Sequence, residues 1–157
     1  MKKIKISSRL ENLVEVENFV EEICDQNYLN NTYYGAILMA IEEAARNAII
    51  HGNKQDEKKK VTISFQRKNN GFMFNVEDQG EGFDFGKIPN PLDVEESEYA
   101  KTGKGIYLIK SLADKVDFGT KGKKVSIFFD ISSISQETTI NRIHNLQKYF
   151  RKQKTTA

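Results

Sequence analysis

Apolar and polar residues alternate with a period that changes along the chain, and the changes divide it into elements. Lys3 to Ser8 sets basic residues between Ile4 and Ile6, the period-two pattern of a short strand suited to a sheet edge. From Leu10 to Asp25 the apolar positions Leu10, Leu13, Val14, Val16, Phe19, Val20 and Ile23 return at helical spacing. Acids Glu11, Glu15, Glu17, Glu21 and Glu22 take much of the other face, as a solvated surface or a docking surface for a basic partner. Asn30-Asn31-Thr32 offers capping groups for a second helix, predicted over Tyr33 to His51 and stopped by Gly52-Asn53 as a left-handed cap. Ile37, Leu38, Ile41, Ala44, Ala45, Ala48 and Ile49 make this helix apolar over much of its circumference, so it is buried. It also carries Glu42, Glu43, Arg46 and Asn47. Buried polar groups left unpaired cost about 1–3 kcal/mol each, so this helix needs partners for them.

A basic linker, Lys54 to Lys60, leads into a hairpin. Val61 to Phe65 alternates, Lys68-Asn69-Asn70-Gly71 turns, and Phe72 to Val76 returns. The run Lys58 to Lys60 is a solvated connection. After Asp78 comes a stretch of about twenty residues without a clear period, the length of a lid, a binding loop or a disordered segment. It holds Pro89, Pro91 and the acidic run Asp93 to Glu98. Thr102-Gly103-Lys104-Gly105 then opens a helix at Ile106 that reaches Ala113. Two strands, Lys115 to Thr120 and Lys124 to Ile131, flank Gly122. Ser133 or Ser135 caps a final amphipathic helix carrying Ile140, Ile143, Leu146, Tyr149 and Phe150, basic at its far end through Arg151, Lys152 and Lys154.

Composition narrows the class. A chain of 157 residues suits one domain with a real core. Its 38% apolar and 29% charged residues are those of a soluble globular protein. A net charge of +2 sets up no field for nucleic acid or a membrane surface. The single cysteine, Cys24, has no internal disulfide partner and is core, which fits a reducing, cytoplasmic setting. Nothing approaches the ~20 apolar residues of a membrane span.

Three stretches carry candidate chemistry. Asp78-Gln79-Gly80-Glu81-Gly82 ends a strand in an acid followed by two glycines. The acid accepts hydrogen bonds, so its natural target is an amino group such as the exocyclic amine of adenine. The glycines permit a sharp turn or close approach to a ligand. Taken alone, the same residues also suit ordinary turn chemistry. Gly103 and Gly105, ahead of a helix N-terminus, suit phosphates. Glu43 and Asn47, four apart, share one face of the buried helix, and a metal with a nucleotide would supply the partners they need.

Glu43-Ala-Ala-Arg-Asn47-Ala-Ile-Ile-His51-Gly52, Asp78-Gln-Gly-Glu-Gly82-Phe83-Asp84, Pro89-Asn-Pro91-Leu92-Asp93 and Thr102-Gly-Lys-Gly105 occur in this order. Together they resemble the ATP-binding fold shared by gyrase, the large heat-shock chaperones, histidine kinases and MutL. The closer resemblance is to the bacterial anti-sigma-factor serine kinases of the RsbW type, over roughly Lys3 to Asp130. The resemblance implies an α+β fold, a two-layer α/β sandwich of the Bergerat type, with a mixed, mostly antiparallel sheet covered by helices on one face. Residues 1–132 would be the ATPase/kinase domain and 133–157 a C-terminal helical extension. It implies ATP and Mg²⁺ as cofactors, with Asn47 on the metal. Asp78, Gly80 and Gly82 would hold adenine, and Thr102, Gly103, Lys104 and Gly105 the phosphates. Glu43 would be the catalytic base toward a serine hydroxyl. The implied partners are a sigma factor, which is sequestered, and an anti-anti-sigma factor phosphorylated on serine, with the chain itself a homodimer.

Two positions depart from that family's pattern. Arg46 stands where a small residue is usual, and pairing with Glu43 would compete with its use as a base. Lys123-Lys124-Val125-Ser126 stands where a nucleotide-contacting threonine is expected, leaving Ser126 as a substitute. Both departures keep a second expectation in play, a nucleotide-gated binding module with little or no kinase activity. A third is a partner-switching kinase whose target is not a sigma factor. His51, four beyond Asn47, either approaches ribose and phosphates or closes the helix structurally.

Overall fold

The computed structural model describes residues 1–29, 31–82, 98–119, 121–131 and 133–155, the side chains at 98–103, 133–137 and 152–155 excepted. Strands β1 (Lys2–Ser7), β2 (Lys60–Lys68), β3 (Gly71–Glu77), β4 (Lys115–Phe118) and β5 (Lys124–Asp130) form one sheet in the order β1-β2-β3-β5-β4. Every pairing among them is antiparallel, so the described sheet is not mixed. Because strand side chains alternate between faces, the register lines up whole rows. Ile4, Ile63, Val76, Val125 and Phe118 are successive cross-strand partners. Phe65, Phe74, Ile127 and Val116 make the neighbouring row. Both rows belong to the core, where Phe65 lies edge-on to Phe72 with ring centroids 5.0 Å apart. Burying such side chains stabilises the fold by about 1.5–3 kcal/mol each. The opposite face presents Lys3, Lys5, Thr62, Ser64, Asn75 and Ser126, none of them buried.

Four helices cover the apolar face. A 3₁₀ turn, Leu10–Asn12, leads into α1 (Leu13–Gln26), which buries Val16, Phe19, Val20, Ile23 and Cys24 at helical spacing. Burial, with Asp25 nearby, pushes the Cys24 thiol up to about 12, so this cysteine is an inert core residue. Helix α2 (Asn31–Asn47) buries Ala36, Ile37, Ala40, Ile41, Ala44 and Ala45; its small residues let α1 and α3 (Glu98–Leu112) pack closely on either side. Helix α4 (Ser133–Thr155) runs antiparallel to α3. Arg142 on it donates to Asp114 at 3.0 Å, Tyr149 stacks on Tyr107 with centroids 5.1 Å apart, and Leu146 is buried.

Two expectations are corrected. The last turn of the second helix widens into a π-helical turn, Ala48–Gly52, closed by the Asn53 N–H on the Ala48 carbonyl at 2.8 Å. Gly52 is therefore no left-handed cap; Lys54 and Gln55 take that conformation, with φ of 53° and 58°. The helix expected at Ile106 begins at Glu98 instead, so Gly103 and Gly105 lie inside it. Two interior glycines cost about 1 kcal/mol each relative to alanine, but Tyr99, Ala100 and Lys101 before them are compatible with helix. The lid positions Phe83, Asp84, Pro89, Pro91, Leu92 and Asp93, and the acidic run as far as Ser97, lie outside the described residues.

Candidate functional site

Asp78 follows directly on β3, and its N–H still bonds to the Lys123 carbonyl at 2.9 Å, so the sheet fixes where the side chain starts. Its Oδ1 accepts the Gly80 N–H at 2.8 Å. Gly52 lies against the same carboxylate, so closely that any Cβ there would collide with it. The side chain lines a crevice with apolar walls from Val76, Ile106, Ile109, Phe118 and Val125. Burial pushes the Asp78 carboxyl above its ordinary value, against the Gly80 hydrogen bond and the Lys123 charge, which pull it down. Among the described residues its Oδ2 accepts no hydrogen bond. A free acceptor oxygen in an apolar slot is what an aromatic amine needs.

The loop carrying Asp78 is pinned by a residue that the sequence pattern concealed. Asn53 is 1% exposed. Its Nδ2 donates to Ser8 Oγ at 2.8 Å and to the Lys60 carbonyl at 3.0 Å, while its Oδ1 accepts the Gln79 N–H at 2.8 Å. Gln79 Oε1 in turn accepts the Lys60 N–H at 2.6 Å. One side chain thus ties the π-helical turn, the end of β1, the start of β2 and the Asp78 loop together. Its sequence signal, Asn after Gly at a helix end, is the same as that of a cap. Gly80 presses on the Gly52 carbonyl, and Gly82, at φ 97°, on the Lys121 carbonyl. Neither position has room for a Cβ.

The second half of the site lies on α2. Glu43 and Asn47 face Gly105 of α3, where a Cβ would stand 2.9 Å from Glu43 Oε2 and 3.2 Å from Asn47 Nδ2. Arg46 donates from Nη1 to Glu43 Oε1 and from Nη2 to Glu42 Oε1, the latter at 3.1 Å. Within a continuous α3 the N–H groups of Gly103, Lys104 and Gly105 bond to carbonyls four residues back; the free ones belong to its first turn. Lys104 is partly buried, and nothing is described of the Thr102 side chain. His51 is exposed and lines the crevice beside Asn47. Ser126 cannot replace a nucleotide-contacting threonine. It sits on the outer sheet face, donating to Asn75 Oδ1 at 2.6 Å, while Lys123 and Lys124 line the crevice.

The profile of the histidine kinase-like ATPase domain matches residues 6–129. The chain belongs to that family. Among curated proteins it is similar to an anti-sigma F factor of Clostridium perfringens, 27% identical over 73% of this chain and 76% of the relative. An anti-sigma F factor of Oceanobacillus iheyensis is 25% identical over 66% of this chain and 72% of its own length. Among solved structures, the histidine kinase domain of a blue-light activated histidine kinase from Erythrobacter litoralis superposes with a TM-score of 0.51 at 17% identity, covering 86% of this chain and 65% of that one. It shares the fold. As a member of an ATPase family the domain carries an ATP site, and α4 lies beyond the matched region.

The residues fit that ligand. Asp78 offers an acceptor in an apolar slot, Gly52 leaves its carboxylate uncrowded, and Gly80 and Gly82 let the loop pack closely on the Gly52 and Lys121 carbonyls. Among the described residues no cluster of three or more His, Cys, Asp or Glu could hold a metal by itself. Mg²⁺ commonly binds through one or two protein oxygens plus phosphates and water, a role within reach of a single Asn47 amide. Also among the described residues, no helix is long and apolar enough to cross a membrane.

Proposed function

We propose that the protein is an ATP-dependent serine kinase and anti-sigma factor of a partner-switching pathway. One observation carries the reading: Asp78 and Asn47 line a single crevice, and Glu43 lies beside Asn47 against Gly105 of α3, an arrangement that would suit adenine, phosphates and acceptor in that order. Asp78 takes the adenine amine, and Gly80 and Gly82 let the base lie against backbone. Asn47 gives its amide oxygen to Mg²⁺, which would neutralise charge on the phosphates. Thr102, Gly103, Lys104 and Gly105 receive the phosphates when α3 opens at its glycines, releasing N–H groups now held within the helix. Glu43 accepts the proton of the incoming serine hydroxyl. Positioning and charge neutralisation then supply most of the rate.

The relatives named anti-sigma F factors support a sigma factor as the sequestered partner. The serine acceptor would be an anti-anti-sigma factor, and the active form a homodimer in the cytoplasm. Residues 1–132 would be the kinase domain and 133–157 an extension, of which α4 packs on α2 and α3. A titration with Mg-ATP followed by thermal unfolding tests the site. Wild type gains about 2.7 kcal/mol at a hundredfold excess over Kd, and Asn47→Ala and Asp78→Asn lose that gain. An unshifted wild type would sink the proposal.

A second reading, a nucleotide-gated binding module without useful kinase activity, draws on the Arg46 contact with Glu43 and on the outward-facing Ser126. Transfer of labelled phosphate to the cognate antagonist separates the two. A partner-switching kinase with a different final target would show the same transfer but no sigma-factor complex.

A further inference from the structure

We infer that Arg46 is a latch on Glu43, parked on Glu42, which keeps the base from activating water until an acceptor hydroxyl is in place. The inference rests on the kinase reading above. Arg46 is three residues beyond Glu43 and four beyond Glu42, the two spacings that bring helix side chains together. Its planar fork therefore spans both carboxylates at once, Nη1 on Glu43 Oε1 and Nη2 on Glu42 Oε1 at 3.1 Å. The other oxygen of Glu43, Oε2, faces Gly105 across the α2–α3 contact, 2.9 Å from where a Cβ would be. One oxygen of the base is thus held by a cation and the other is covered by a helix.

The three charged side chains are 24% to 35% exposed. An ion pair exposed to this degree is weak enough to exchange partners. Glu42 gives the guanidinium a place to stay when it leaves Glu43, so release does not strand a charge. A sequestering protein that must keep its nucleotide while it waits gains directly from such a latch. A water molecule near an unguarded base would otherwise attack the terminal phosphate, yielding ADP and inorganic phosphate with the water proton taken by Glu43.

The two neighbours of the latch should act in opposite directions, which a merely structural cluster would not do. Arg46→Ala frees Glu43, whereas Glu42→Gln leaves Arg46 with Glu43 as its one anionic partner among the described residues. The experiment compares wild type, Arg46→Ala, Glu42→Gln, Glu43→Gln and the double variant Arg46→Ala/Glu43→Gln as full chains. Phosphate release from Mg-ATP without acceptor is expected to rise roughly tenfold in Arg46→Ala, less than the about 10²–10⁴-fold that a general base can contribute. It should fall below wild type in Glu42→Gln and match Glu43→Gln in the double variant. Before ATP is added, the melting-temperature shifts of Arg46→Ala and Glu43→Gln should be non-additive, reporting the contact without any turnover. Additive shifts, or equal-sign changes in release for Arg46→Ala and Glu42→Gln, overturn the latch. If Glu43→Gln slows release but Arg46→Ala does not quicken it, the latch fails and the kinase reading stands. If Glu43→Gln releases phosphate like wild type, both fail.

Discussion

The two ends of the crevice are built on different principles. At the Asp78 end, the proposed adenine end, backbone groups and one buried amide hold everything. Asn53 makes three hydrogen bonds within 3.0 Å, and Gly52, Gly80 and Gly82 meet neighbouring atoms too closely for any Cβ. At the Glu43 end, the proposed phosphate end, the partners are long, partly exposed charged side chains and a helix that meets Glu43 at a glycine. A binding surface that must match a flat base profits from pre-organisation, because little is left to order when the ligand arrives. The proposed catalytic end, which would admit phosphates, a metal and a second protein, would need contacts that can be exchanged. The difference in materials therefore matches a difference in task.

Changes at the two ends should fail differently, and the largest effect belongs to chemistry. Glu43→Gln is expected to slow phosphotransfer to a serine acceptor by about 10²–10⁴-fold while Mg-ATP affinity by calorimetry stays near wild type. Equal losses in both would mean that Glu43 shapes the pocket rather than serving as base. Next in size is the Asn53 hub. Asn53→Leu leaves several buried groups unpaired at about 1–3 kcal/mol each, visible as a lower urea midpoint, with the Asp78 loop loosened in hydrogen exchange.

The sharpest contrast comes from matched glycine substitutions. In Gly52→Ala the new Cβ meets the Asp78 carboxylate, so Mg-ATP stabilisation should vanish. In Gly105→Ala the Cβ meets the far end of Glu43, which can yield, and the helix gains up to about 1 kcal/mol of propensity. That variant should melt higher without ligand and bind ATP more weakly, because α3 resists opening. If both variants behave alike, the two ends are not distinct.

A smaller effect follows from the raised Asp78 carboxyl. A carboxyl whose folded value lies above its unfolded value binds more protons when folded, so ionising it costs stability. As pH rises from the ordinary carboxylate value of 3.8 through the higher folded value, Asp78 destabilises the fold, and that loss persists at neutral pH. Asp78→Asn should therefore raise the neutral-pH melting temperature slightly without ligand while removing the ATP shift. Comparing its melting profile with wild type from pH 3 to 7 checks the sign, with the gap widening upward. Smallest of all, Ser126→Ala should leave the Mg-ATP shift unchanged, since its hydroxyl serves Asn75 on the opposite sheet face.

Much of this was legible in the residues. The strand and helix periods located every described element to within a few positions, except the start of α3. The spacing of Glu43 with Asn47 and of Asp78 with its glycines marked the crevice from both sides. Gly52, which reads as a cap, and Gly103 and Gly105, which read as the turn before a helix, differ from the structure for a common reason. Glycine signals a place where the chain needs freedom, but a turn, a cap and a close approach all write the same letter. Ser126 was ambiguous because a period-two pattern assigns residues to two faces without saying which one borders the ligand.

By itself, then, the sequence determined the local periods, the buried character of α2, and the chemistry available at Glu43, Asn47 and Asp78. These follow from spacing along one element and from side-chain type. Only the tertiary structure decided that Gly52 sits on Asp78, that Asn53 joins four segments, that Gly105 covers Glu43 and Asn47, and that Arg46 divides itself between two acids. The first three are contacts between segments far apart in the chain, set by how helices and sheet pack. In the last, helical spacing offered Arg46 both glutamates as neighbours, and the structure shows its fork reaching both at once.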